Sequence, residues 1–346
     1  MDTAQAPAPL PRTLADALRT GRLTVVAGAG ISMLAPSSLP SWWGFNVALL
    51  DAIKQSALNL LPRPQPGQPG LLDALTLDGG IPVVAFSDHL VRSFAGQSYF
   101  PLLGLLESSR PNANHRALAE LARRGALRHI VTPNFDTLIE RAFREAGVPL
   151  EVLIGRDSPG ALGGRGRAAT VLHKIHGSAS DEASLVDTVS QKLRGLSPEQ
   201  RAALAAAFAD CHVLFIGFSG ADFAFDADYL PLRQALHNGQ SFTWVSRPGS
   251  APPDIARQMA RSPDWLLEGE LPQWYVALGL EAQTWQALDG VPTAAVPAAA
   301  EPTIAARIAQ WIDQPAFGPW ACAALCLRLL NGLLQRAHRP RRSRRS

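Results

Sequence analysis

Five short apolar runs rich in β-branched residues, at 23–27, 129–132, 171–175, 213–217 and 242–246, constrain this chain more than any other feature. Each is too short for a buried helix and reads as a strand covered on both faces. Between them lie stretches of helical period at 113–125, 136–146 and 198–209, the first with Ala117, Leu118, Leu121 and Ala122 on one face. Strands alternating with helices imply crossover connections and a parallel sheet. The expected fold is therefore α/β: a doubly wound, mostly parallel, Rossmann-like sheet. Ligands of such sheets sit at the carboxyl ends of the strands, so the residues that follow each run are the candidates for chemistry.

The alternation breaks at 42–110, which reads as a mainly helical insertion with a proline-rich kink at 62–66 and a helix-like run at 84–94. Residues 247–253 read as a loop, and 290–302, rich in Ala and Pro, as a linker. The expected division is a domain at 1–289, the linker, and a helical appendage at 303–346 with helices at 304–312 and 320–337. The second of these carries Arg328 and Asn331 and falls short of the roughly 20 apolar residues that span a bilayer. It reads as a partner-binding or interfacial helix.

Hydrophobic residues make up 47% of the chain and charged residues 18%, which excludes disorder for the bulk. Three cysteines exclude a disulfide framework and a four-thiolate zinc site, and fit a reducing, cytoplasmic compartment. Residues 1–12 show neither the basic patch nor the apolar run of an export signal. The net charge of +3 misleads. Six arginines, Arg336, Arg339, Arg341, Arg342, Arg344 and Arg345, crowd the C-terminus, and the remainder is mildly acidic. The basic pI thus belongs to the tail and is no nucleic-acid signature of the fold. A solvated terminus is expected there, with contact to nucleic acid or an anionic membrane as the alternative.

The first strand runs into Gly28-Ala29-Gly30-Ile31-Ser32, a turn that lets backbone N–H groups approach a phosphate. A G-x-G-x-x-G fingerprint fails at Met33, and no P-loop Gly-Lys-Ser/Thr occurs. The second strand ends in Thr132-Pro133-Asn134-Phe135-Asp136. Asp136 can cap the following helix, and Asn134 offers donors and an acceptor to a ligand or water. The third ends in Lys174-Ile175-His176-Gly177-Ser178, where His176 is either a proton acceptor or a core histidine. His173 points to the opposite side of its strand, which disfavours a metal pair, and no metal is expected. His115 reads as a cap or packing residue. The fourth strand ends in Gly217-Phe218-Ser219-Gly220-Ala221-Asp222, close to a nucleophile elbow or else a capping turn. A serine hydrolase would need His237 or His338 as its base. Trp42 and Trp43 fall in a Ser/Pro-flanked loop, to stack on a ligand or pack under the insertion. Cys322 and Cys326 read as small core residues.

In this order the four strand-end segments resemble the sirtuin family over about 23–246. In that family they surround NAD. The resemblance implies that Gly28–Ser32 holds the pyrophosphate, that Asn134 and Asp136 face the nicotinamide and its ribose, that His176 is the base, and that Ser219 lies near the adenosine half. Trp43, Thr132, Gly217 and Asp222 complete the implied coenzyme contacts. The chain departs from the protein-deacylating sirtuins: Ala35–Trp43 replaces their Gly-Ile-Pro-Asp-Phe-Arg segment, Pro133 replaces the glutamine before the asparagine, and the cysteine pairs are missing. It looks instead like the prokaryotic sirtuin-like NAD hydrolases of anti-phage defence. Hydrolysis of NAD to nicotinamide and ADP-ribose, controlled by homo-oligomerisation or a partner protein, is the activity implied. The alternatives are a non-catalytic sensor of NAD or ADP-ribose and, third, an NAD-dependent deacylase.

Overall fold

The structure is a computed structural model that describes residues 10–61, 67–77, 81–94, 99–108, 110–154, 170–220, 231, 240–246, 249, 251–260, 265–268, 302–314 and 317–337. The chain enters through α1 (Arg12–Thr20), stopped by Gly21 in the left-handed conformation at φ 64°, and passes into β1 (Leu23–Ala27). A single 3-10 turn (Ala29–Ser32) follows. The next helices are α2 (Trp42–Leu58), α3 (Val83–Ser93) and α4 (Phe100–Leu103). The chain continues as α5 (Ala113–Arg123), β2 (Leu127–Thr132), α6 (Leu138–Glu145), β3 (Leu150–Ile154) and β4 (Thr170–Lys174). After α7 (Val189–Leu193) and α8 (Pro198–Phe208) come β5 (His212–Ile216), β6 (Phe242–Ser246), α9 (Asp254–Met259) and β7 (Leu266–Glu268). The described chain ends with α10 (Ile304–Ile312) and α11 (Gly318–Ala337).

The seven strands form one sheet in the order β3-β4-β2-β1-β5-β6-β7, and each neighbouring pair is parallel. Successive residues of β1 feed opposite faces. Val25 joins Leu14, Leu118, Ile130, Phe143 and Leu172 in one buried cluster, and Val26 joins Val131, Phe208, Val213, Phe215 and Trp244 in the other. This is the doubly wound, Rossmann-like fold that the alternation of strands and helices predicts. From β1 the chain builds the β2 side and then crosses to β5, so the order reverses at β1 and β5, where such sheets bind ligands. Register brings the strand ends level: Ala27 pairs with Ile216, and Thr132 with Lys174.

Two strands escape the sequence pattern. Edge strand β3 is only half buried and carries Glu151, and β7 has three residues, so neither forms a continuous apolar run. Trp42 and Trp43 are not in a loop. Ser41 accepts the Gly44 N–H and starts α2 with both tryptophans, and Trp42 stacks on Phe45 at 5.4 Å.

The chain divides into two units. The first comprises Met1–Leu39, Leu106–Val186 and Lys192–Ala298; the second comprises Pro40–Leu105, Asp187–Gln191 and Ala299–Ser346. In the second, α10 and α11 pack on α2, burying Ile308, Ile312, Cys322, Leu325, Cys326 and Leu329 with Phe45, Leu49 and Ile53. Phe317 reaches Phe94 at 4.7 Å. The insertion and the C-terminal helices thus share one core, and Cys322 and Cys326 are part of it. Residues 290–301 of the expected linker and the tail beyond residue 337 lie outside the described residues.

Candidate active site

At the ends of β1 and β5 the contacts are backbone on backbone. Gly28 N–H donates to Ile216 O at 3.0 Å, Gly30 N–H to Gly217 O at 2.9 Å, and Ile31 N–H to Gly28 O at 3.2 Å. A Cβ on Gly28 would lie 2.4 Å from Gly217 O, and one on Gly30 2.7 Å from Gly217 Cα. Gly217 itself holds φ 58°, with its missing Cβ facing Ile31 N at 2.5 Å. The glycines therefore let two turns touch. The amides of Gly28, Gly30 and Ile31 all donate within the chain.

On the opposite side of β1 the strand ends are joined by buried side chains. Thr132 Oγ1 donates to Ala27 O at 2.7 Å and accepts the Asn134 N–H at 3.1 Å. Asn134 Nδ2 donates to Gly28 O at 3.1 Å, which ties the second strand end to the glycine turn. Since the acceptor is a carbonyl, the amide orientation is fixed and Asn134 Oδ1 turns away from it.

Asp136 accepts through both oxygens. Oδ1 takes the Leu138 N–H at 3.1 Å, from one residue ahead of the N-cap Thr137, and Oδ2 takes the Ser32 hydroxyl at 3.2 Å. Ser32 Oγ also lies 3.1 Å from His115 Nε2, while Asn112 N–H donates to His115 Nδ1 at 3.2 Å. That donation puts the histidine proton on Nε2, so the chain runs His115 N–H to Ser32, then Ser32 O–H to Asp136. Burial holds His115 neutral, its pKa pushed down to about 3. Asn112 and Asn114 Nδ2 both donate to Ile31 O, at 2.9 and 2.8 Å, and anchor the start of α5 to the turn.

Lys174 is 1% exposed and holds the Asn134–Asp136 segment from below. Its Nζ donates to Asp136 O at 2.6 Å, Phe135 O at 3.3 Å and Glu140 Oε1 at 2.9 Å. Burial raises the Asp136 pKa above the ordinary carboxylate range, against the Lys174 charge and the hydrogen bonds from Leu138 and Ser32. Burial also raises Glu107, whose carboxylate accepts the Thr137 hydroxyl. His176 follows β4, is 4% exposed, and its ring lies 6.3 Å from that of Phe135. Gly177, at φ 86°, makes room for main chain: its missing Cβ admits Ser184 O, at 2.3 Å from where a Cβ would stand. Ser178 N–H to Ser184 Oγ at 2.9 Å and Val186 N–H to His176 O at 2.9 Å then fold the loop onto itself.

The first unit thus brings together Gly28, Ala29, Gly30, Ile31, Ser32, Thr132, Asn134, Asp136, His176, Gly217 and Ser219 at the carboxyl ends of β1, β2, β4 and β5. Ser219 is exposed. Trp43 belongs to the second unit, on α2, 39% exposed. Asp222, and the His237 and His338 that a serine hydrolase would need, lie outside the described residues. His173 meets His129 at 3.3 Å, and no group of three metal-ligating side chains occurs among the described residues. Sequence reasoning missed Asn112, Asn114, Lys174 and Glu140. The signal for Lys174 was a lone charge inside an apolar run; Asn112 and His115 form a capping box without the usual Ser/Thr and Glu/Gln.

Residues 128–261 match the family model of the SIR2-like domain. That segment holds Asn134, Asp136, His176 and Ser219. Similar solved structures include a Sir2 homologue in complex with NAD, 18% identical, covering 82% of this chain and 97% of that chain at a TM-score of 0.43. Another is a mutant Sir2 homologue in complex with ADP-ribose, 19% identical, covering 81% and 98% at a TM-score of 0.41. No curated protein matches.

Proposed function

We propose that the first unit hydrolyses NAD to nicotinamide and ADP-ribose, and that the chain serves as a regulated effector in bacterial anti-phage defence. The observation that carries the reading is the attachment of Asn134 and Asp136 to the glycine turn, through Gly28 O and Ser32 Oγ. It places an amide, a carboxylate and, from the next strand, an imidazole at the end of a sheet where dinucleotides bind. The SIR2-like match over 128–261 supports the same reading.

The chemistry asks little of an acid. Nicotinamide within NAD is a cationic pyridinium and departs as a neutral base, leaving positive charge on the ribosyl carbon. Ionised Asp136 stabilises that charge, and the segment clamped by Lys174 holds its carboxylate in place. Asn134 Oδ1 orients the attacking water, whose oxygen forms the new bond to the anomeric carbon. His176 takes the water proton, a contribution of about 10²–10⁴-fold. The bond broken is the one between that carbon and the pyridinium nitrogen, and its electron pair leaves with nicotinamide. Unrestrained loss of NAD would kill the host, so control by self-assembly or a partner belongs to the proposal.

The test is incubation of the purified protein with NAD and chromatographic separation of the products. Nicotinamide and ADP-ribose in equal amounts, with turnover lost in Asn134→Ala and His176→Ala, support the reading. Unchanged turnover in both variants refutes the site, and calorimetric NAD binding without turnover in any state of assembly refutes the enzyme in favour of a sensor.

A further inference from the structure

One face of α11 packs against α2; the other is bare. Trp320, Leu327 and Leu334 are 78%, 47% and 62% exposed and recur at intervals of seven residues, so they form a single stripe about 21 Å long, with exposed Ala324 and Asn331 between them. Arg328 flanks the stripe and donates to Ser93 Oγ at 2.9 Å. The same helix leads into the six arginines of the C-terminus, in a chain whose remainder is mildly acidic. No helix among the described residues is long and apolar enough to cross a membrane.

We propose that α11 and the arginine-rich tail together dock the protein on an anionic lipid bilayer, lying on it and not crossing it. The stripe supplies the apolar contact, with Trp320 as the kind of side chain that settles among headgroups. The arginines supply the charge complement, at roughly fivefold in partitioning for each one near an anionic surface. A second copy of the chain fits the stripe less well. Parallel pairing brings two arginine tails together, antiparallel pairing sets Asn331 against Ala324, and three large apolar residues on each side fall short of the roughly 1,200 Å² of a stable interface. Nucleic acid would use the arginines and leave the stripe without a role.

The experiment is co-sedimentation of the full chain with vesicles of phosphatidylcholine, alone or mixed with phosphatidylglycerol, beside its sedimentation equilibrium in solution. Two variants accompany it: Trp320→Ser/Leu327→Gln/Leu334→Gln, and replacement of the six arginines by glutamine. The stripe substitutions avoid the buried core, and thermal melts check the fold of both variants. The expected result is partitioning into the anionic vesicles on the order of 10²-fold or more above the neutral ones, falling with salt and lost in each variant. Equal partitioning into both vesicles, or none, overturns the proposal. So does binding that survives the stripe substitutions, which assigns the tail to polyanions in general. A dimer in solution that the stripe substitutions dissolve, without vesicle binding, gives the surface to a second copy. None of these readouts depends on NAD chemistry.

Discussion

The two sides of β1 close by opposite means. Toward β5, Gly28, Gly30 and Gly217 bring main chain against main chain, and the hydrogen bonds run between backbone groups. Toward β2 and β4, the closing groups are Thr132, Asn134, Asp136 and Lys174, buried polar side chains that hold one another. A backbone contact fixes shape and tolerates no added atom. A side-chain network fixes charge and proton position, and each member is costly to lose because its partners stay buried. In the proposed reading the glycines mark where the site is, and the polar side holds the groups that do the chemistry.

The largest way to break this contrast is Lys174→Met. It strands the Glu140 carboxylate and two carbonyls, and should cost about 3–5 kcal/mol in urea denaturation. Ser32→Ala strands buried His115 Nε2 and Asp136 Oδ2, and should cost about 1–3 kcal/mol of stability while lowering kcat on the order of 10–100-fold. Gly30→Ala should cost about 1–3 kcal/mol of stability by overpacking against the Gly217 main chain, while keeping every polar side chain of the network.

A pH series sharpens the comparison further. Burial holds His115 and His173 down to about 3 and His129 to about 4. The unfolded chain takes up these protons near 6.5, so their contribution to stability is complete above that pH and is lost as pH falls from 6.5 toward 3. Asp136 and Glu107, both raised, take up protons first in the folded chain and partly offset the loss at the acidic end. The urea midpoint should drop between pH 7 and pH 5, with less of a drop in His173→Gln. Hydrogen exchange at pH 5 should loosen β2 and β4 before β1 and β5, and uniform loosening would contradict the contrast.

The fold was legible because β1 and β6 are mostly apolar and buried along their whole length, and the bounds read from sequence coincide with those observed. Strand β3 was not, since an edge strand with one wet face needs no continuous apolar run. Asn134, Asp136 and His176 were legible as polar residues just past apolar runs. What they bond to was not: Gly28 and Ser32, the partners of Asn134 and Asp136, lie far away in sequence and are reached through sheet order. Glycine spacing announced a close approach correctly but could not say what approaches, and in this chain it is another turn. Lys174 looked like a strand-end residue, and only the pairing of β4 with β2 brings it to its three acceptors.

The most direct measurement is a crystal structure of the His176→Ala variant grown with NAD. The account predicts one bound dinucleotide across the carboxyl ends of β1, β2 and β4, with its nicotinamide ribose against Asn134 and Asp136. A dinucleotide lodged elsewhere, or side chains filling that position so that none enters, would contradict it.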